Sequence, residues 1–171
     1  MEKTIRSAGL LLSLLMAGIL TAIPLQVAAD VIRVAAASNF SETIKTLSRR
    51  FEAKTGHRVI LSLGSTGKHY AQIMNGAPFH LFFAADSRRP ELLEKQGMIQ
   101  AGSRFTYAIG RIVLWSPRPG YVDQDARVLE QGDFRHLAIA NPRLAPYGRA
   151  AQELLQAKGV WGRLQGRMVR G

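Results

Sequence analysis

Three times along the chain a short apolar run gives way to small polar residues and then to apolar positions at helical spacing. The first copy is Val31–Leu47. Its run from Val31 to Ala37, β-branched at the start, predicts a buried strand. Ser38 and Asn39 follow, and Phe40, Ile44 and Leu47 then fall on one face of a helix. Asn39 and Glu42, three residues apart, form a capping-box-like pair that predicts the helix N-terminus. Where a strand runs straight into a helix start, backbone N–H groups lack partners and the helix dipole presents its positive end. Both favour an anion. The Ser38 hydroxyl and the Asn39 amide add donors at the same place.

The second copy, Arg58–Met74, predicts a strand, a Gly64-Ser65-Thr66-Gly67 turn and a helix with Tyr70, Ile73 and Met74 on its face. The third, His136–Leu155, predicts a strand ending at Ala140, a proline-punctuated loop, and a helix whose first turn follows Pro146 and Tyr147. Each loop taken alone is an ordinary capped turn. Three of them converging would wrap a small, fully ionised oxyanion in donors.

Between these units, Leu81–Asp86 predicts another buried strand, and Arg89-Pro90 opens a short helix through Leu92, Leu93 and Gln96 that Gly97 stops. Phe105–Pro117 predicts a strand around Ile112–Trp115, ended by Pro117 and the Pro119-Gly120 turn. Tyr121–Asp133 is polar, with an amphipathic hint at Val128-Leu129. Strands alternating with helices predict an α/β fold with a largely parallel sheet. In such sheets ligands bind beyond the carboxyl ends of the strands, where the three donor loops fall.

The N-terminal segment breaks this pattern. Lys3 and Arg6 precede an apolar run from Ala8 to Ile23, and Val27-Ala28-Ala29 supplies the small residues of a cleavage site. Met1–Ala29 therefore reads as a signal peptide cleaved before Asp30, and the run is short for a bilayer span. A secreted or periplasmic destination is expected. The chain has no cysteine, which removes disulfides, thiolate metal sites and a cysteine nucleophile. The 142 residues after the cleavage point must be held by their core.

Removing Lys3, Arg6 and Glu2 leaves 21 basic and 11 acidic side chains of the 23 and 12 in the whole chain, a balance of +10. The arginines are scattered and aromatics do not interleave with them, so nucleic acid is not the expected partner. The excess reads as a solvated surface that steers anions inward.

Familiar catalytic motifs fail on inspection. Gly64–Lys68 echoes a phosphate loop, but its first glycine is Ser62 and the residue after Lys68 is His69. No G-x-S-x-G elbow occurs. His57, His69, His80 and His136 lack metal-ligand spacing, and surface or capping roles are expected for all four. Carboxylates are few and unpaired. Trp115 and Trp161 read as core or interface residues. Tyr147, set between a proline and a glycine in a tight loop, fits either a packing lid or a ligand contact. A fully deprotonated oxyanion offers only acceptors, and the three loops hold Ser, Thr, Tyr and Asn without a carboxylate.

The ordered motifs RVAAASN, LGSTG, GAPFHLFFAAD, IVLWSP and IANPRLAPYGRAAQE resemble the periplasmic molybdate-binding proteins of bacterial molybdate ABC transporters, from Val31 to the end of the chain. The resemblance implies the two-lobed type II solute-binding fold, closing over molybdate or tungstate and delivering it to an inner-membrane ABC permease. It implies no catalytic residues, no cofactor and no cation ligands, and a monomer is expected. The family's contact loops fall on Ser38 and Asn39, on Ser65 and Thr66 (a threonine where the family has its second serine), and on Tyr147. Residues 30–110 would form the first lobe and 111–171 a partial second lobe. Relatives continue past this point with a further contact loop and a return to the first lobe, whereas this chain stops at Met168–Gly171. The second lobe is thus expected to be incomplete and binding impaired. The alternatives are another oxyanion such as sulfate, a nonfunctional fragment, or an exported serine hydrolase, for which only His69 lies near Ser65 as a base.

Overall fold

A computed structural model describes residues 29–171. Apart from Ala29 at its edge, the expected signal peptide lies outside the described residues. Strand β1 (Val31–Ala37) forms as its apolar run predicts, and it is central. It pairs in parallel with β2 (Arg58–Gly64) on one side, from Val31 opposite Arg58 to Ala37 opposite Gly64. On the other side it pairs in parallel with β3 (Leu81–Phe83). Parallel neighbours require crossovers, which α1 (Ser41–Thr55) and α2 (Thr66–Met74) provide. Val34, Ala36 and Ile44 form a buried cluster, closed by Phe40, Val59, Leu61 and Phe83. The helix α3 (Arg88–Lys95) follows β3 and seals Leu93 completely.

A second parallel sheet pairs β4 (Leu137–Ile139) with β5 (Met168–Arg170). Its core is built from Val128, Leu129, Leu155, Val160 and Leu164. These come from α4 (Val128–Gln131), α5 (Pro146–Ala157), α6 (Trp161–Leu164) and the turn before α6. Burying a leucine fully is worth about 1.5–3 kcal/mol, so this small cluster supports its sheet. The α/β class with parallel sheets is the one the alternation predicts. The hint at Val128-Leu129 marks α4, and both side chains are buried. The strand β5 and the helix α6 have no counterpart in the sequence reading.

Two expected strands are shorter or absent. The Leu81–Asp86 strand ends at Phe83, because the groups beyond it are bonded elsewhere. Tyr107 Oη donates to the Ala84 carbonyl at 2.8 Å, and the Ala85 amide donates to Thr66 Oγ1 at 3.0 Å. The strand around Ile112–Trp115 does not form. Ile112, Leu114 and Ser116 are half-buried and Arg111, Val113 and Trp115 are exposed, so the period-2 alternation is real. Among the described residues no strand pairs with it, and a strand is defined by its ladder. Trp115 is accordingly 76 % exposed rather than part of the core, whereas Trp161 packs against the second cluster.

Candidate functional site

The carboxyl ends of the first sheet gather the loops on which the candidate residues lie. Because Ala37 is opposite Gly64, the chain leaves β1 at Ser38 and leaves β2 at Ser65 as neighbours. The exit from β1 is a 3-10 turn, Ser38–Phe40, and α1 starts after Phe40 with no side-chain cap. The expected Asn39–Glu42 capping pair is therefore not made. The 3-10 turn moves the helix start one residue past Asn39. Glu42 bonds to Lys45 at 2.7 Å instead, and that ammonium holds its carboxyl below the ordinary value. The consequence is useful: Ser38 and Asn39 are exposed, and their side chains make no hydrogen bond to any described residue.

The second loop is organised differently. Ser65 is the N-cap of α2, its Oγ accepting from the Lys68 amide at 3.3 Å. A hydroxyl that accepts keeps its own hydrogen to donate. Thr66 is completely buried, and its Oγ1 accepts from the Ala85 amide. It ties the start of α2 to the loop after β3, a structural duty the sequence does not advertise.

His69 departs most from expectation. It is 1 % exposed, not a surface or capping residue. Its Nε2 lies 3.2 Å from the Ala36 carbonyl and its Nδ1 3.0 Å from Gln72 Oε1. Since a carbonyl only accepts, Nε2 carries a hydrogen. The ring meets Phe79 and Phe82 edge-on, at centroid distances of 5.8 and 6.3 Å. At helical spacing from Thr66 and Ile73 it completes the buried face of α2. This imidazole is held at both nitrogens inside the sheet–helix layer and makes no hydrogen bond to Ser65 that would make it a nucleophile's base.

Tyr147 belongs to a helix rather than to a tight loop. Pro146 occupies the first position of α5, where its missing N–H costs nothing, and Tyr147 follows in the first turn. The phenol ring is half-buried against Gly110, and its hydroxyl makes no hydrogen bond to any described residue. Beside it is Tyr107, which the sequence reading missed. Tyr107 packs against Phe40, tilted at a centroid distance of 5.1 Å, and against Phe83, edge-on at 5.3 Å. Its burial, and next the neighbouring Tyr147, push its phenol above the ordinary value. The chain Tyr147–Tyr107–Phe40 thus links the third loop to the first. The second meets the third through the Gly67 amide, which donates to the Leu144 carbonyl at 2.9 Å.

The loops therefore adjoin, and the one carboxylate on the loop after β3, Asp86, is paired with Arg89 at 2.5 Å. A recess of about 340 Å³ lies elsewhere, between Trp115, Tyr121, Leu129, Phe134 and His136, and none of the five candidate residues lines it. Among the described residues no three His, Cys, Asp or Glu side chains come together to hold a cation. No described helix is long and apolar enough to cross a membrane.

Residues 32–171 match the bacterial extracellular solute-binding protein family. The chain belongs to that family. This solute-binding protein is 51 % identical over 140 residues to the molybdate-binding protein ModA of Azotobacter vinelandii, covering 82 % of this chain and 56 % of that relative. To ModA of Rhodobacter capsulatus it is 41 % identical over 169 residues, covering 99 % of this chain and 65 % of the relative. The solved structure of the Azotobacter vinelandii periplasmic molybdate-binding protein superposes with a TM-score of 0.79 at 48 % identity, over 82 % of this chain and 62 % of that one. The resemblance carried by the sequence motifs is the one these relatives display. The solute-binding chain spans 56–65 % of the length of these curated relatives.

Proposed function

We propose that this chain binds a tetrahedral oxyanion, molybdate or tungstate, in the periplasm and passes it to an inner-membrane ABC permease rather than transforming it. The observation that carries the reading is the set of uncommitted donors at one end of the sheet. The hydroxyls of Ser38 and Tyr147 and the amide of Asn39 make no hydrogen bond to any described residue, and Ser65 accepts one and keeps a hydrogen to give, while the buried Thr66 holds the second loop in place through the Ala85 amide. Polar side chains without partners suit a ligand made only of acceptors. Neutral donors hold such a dianion through charge-assisted bonds without a buried counter-ion. The relatives named for molybdate support the choice of anion. In this reading residues 1–29 export the chain, residues 30–110 carry the Ser38 and Ser65 loops, and residues 111–171 bring Tyr147.

A thermal-shift panel on Asp30–Gly171 tests it, with molybdate, tungstate, sulfate and phosphate each at millimolar concentration. An anion at about 100 times its Kd stabilises by about 2.7 kcal/mol, so even weak binding registers as a rise in Tm. Molybdate and tungstate are expected to raise Tm beyond sulfate and phosphate. A larger rise with sulfate would reassign the anion, and no rise with any of the four defeats the reading.

A further inference from the structure

The candidate donors are neutral, and a neutral hydrogen-bonding group acts only on what it touches. A formal charge in solvent reaches about 10 Å at 0.1 M salt. The pull on a distant anion is therefore set by the charged side chains around the loops, and by which of them a partner already neutralises.

Every carboxylate on or beside the loops is neutralised. Glu42, in the first turn of α1, meets Lys45 at 2.7 Å; Asp86, on the loop after β3, meets Arg89 at 2.5 Å; Glu153, on α5, meets Arg149 at 2.8 Å. Four cations beside the same loops are not. Lys68, Arg88, Arg111 and Arg143 are all exposed, and none has an ion pair among the described residues. The Lys68 amide donates to Ser65 Oγ at 3.3 Å, and Arg88 opens α3 two residues after Asp86. Arg111 follows Gly110, against which the Tyr147 ring lies, and the Arg143 carbonyl accepts Arg89 Nη2 at 3.2 Å. Each cation is placed by the loop that carries it, so this asymmetry of charge holds however closely the loops approach one another.

Folding gives no reason for it. Lys68 and Arg88 stand in the first turns of α2 and α3, where the helix dipole disfavours a cation. Like charges gathered at one end of a sheet also repel. We propose that Lys68, Arg88, Arg111 and Arg143 form a steering rim that draws a tetrahedral dianion towards the neutral donors of Ser38, Asn39, Ser65 and Tyr147. The rim sets how fast the anion arrives; the neutral donors set how long it stays. This rests on the oxyanion reading and deepens it, by giving the exposed cations a kinetic role that the donors cannot fill.

The test measures molybdate association and dissociation rates on the full chain by stopped-flow tryptophan fluorescence, from about 0.01 to about 1 M salt. A rim variant carries Lys68→Gln, Arg88→Gln, Arg111→Gln and Arg143→Gln. A control removes the same charge elsewhere, through Arg50→Gln and Lys54→Gln late in α1, Arg58→Gln at the far end of β2 and Lys95→Gln at the end of α3. Steering requires the rim variant to associate about tenfold more slowly than wild type at the lowest salt, with the gap closing at the highest. Its dissociation rate should match wild type, and the control should associate as wild type does. Equal slowing in the control overturns the proposal by assigning the effect to net charge. Faster dissociation from the rim variant overturns it too, by making the cations direct contacts. Wild type that binds no molybdate at any salt defeats the oxyanion reading and this proposal together. Wild type that binds, beside a rim variant with the same rate and salt dependence, defeats this proposal alone.

Discussion

The phenol of Tyr147 occupies the space that a side chain at Gly110 would need. A Cβ built on Gly110 collides with the Tyr147 hydroxyl and lies 3.0 Å from its ring carbon Cζ. Gly110 is itself exposed, so the position is constrained by its neighbour and not by burial. Gly110→Ala should displace Tyr147 and weaken molybdate binding about tenfold, equivalent to about 1.4 kcal/mol, while Tm changes little. Calorimetric titration with a parallel melt checks this. A variant with unchanged affinity would take Tyr147 out of the site.

Ser38 and Thr66 are expected to separate binding from stability. Ser38 is exposed and bonded to nothing described, so Ser38→Ala should leave the melt unaltered and cost about 1.5–3 kcal/mol of anion affinity, the value of a hydrogen bond to a charged group. Thr66→Val keeps the shape but strands the Ala85 amide, which should lower stability by about 1–3 kcal/mol. Denaturant unfolding of both variants decides. The assignments fail if Ser38→Ala destabilises the chain as much as Thr66→Val does.

Burial and the nearby Tyr147 hold the Tyr107 phenol above its ordinary value of 10.0. A group whose pKa is raised on folding contributes its full stability below the unfolded value. That contribution falls away as pH rises through and beyond 10. Wild type should therefore lose stability above about pH 10 more steeply than Tyr107→Phe. Melts from pH 8 to 11 compare the two, with parallel curves the result that excludes Tyr107.

For His69 the expected loss comes from packing and from the Ala36 carbonyl together. His69→Ala removes a ring buried against Phe79 and Phe82 and leaves that carbonyl short of a donor, so a loss of about 2–4 kcal/mol is expected. His69→Gln can still donate to the carbonyl and should recover part of the loss. Chemical denaturation reads both, and equal losses would show that the hydrogen bond contributes nothing.

Much of this molecule is legible from local pattern. The β-branched opening of β1, the pattern in β2, the Pro146 start of α5 and the Gly97 stop of α3 each act within a few residues. What escaped depends on partners far along the chain. Ile112–Trp115 has the alternation of a strand, yet alternation shows which side chains point inward and not whether another strand lies alongside. His69 reads as polar in a one-dimensional pattern, and only the meeting of β1 with α2 supplies the acceptor that permits its burial. Asp86 ends the GAPFHLFFAAD motif and Arg89 opens a helix, but nothing local marks either of them, or Tyr107, for the contacts they make. Their roles arise from neighbours at separations of 54 residues for Arg89 with Arg143 and 23 for Tyr107 with Ala84. The candidate residues Ser38, Asn39, Ser65 and Thr66 stand out because they are the first two residues after a strand, a signal that survives without tertiary knowledge.

The central position of β1 also makes the arrangement of the candidate loops depend on non-local closures. Neither of its neighbours can reach it by a hairpin, since α1 lies between β1 and β2 in the chain and α2 between β2 and β3. Such non-local closures are slow steps, and nothing in the Val31–Asn39 segment can hold its final geometry ahead of them. Ser38 and Ser65 become neighbours at the moment Ala37 and Gly64 pair, and Thr66 is anchored only once Ala85 has come alongside. The candidate donors lie apart in the chain, and it is the parallel pairing of β1 with β2 that brings Ser38 and Ser65 side by side.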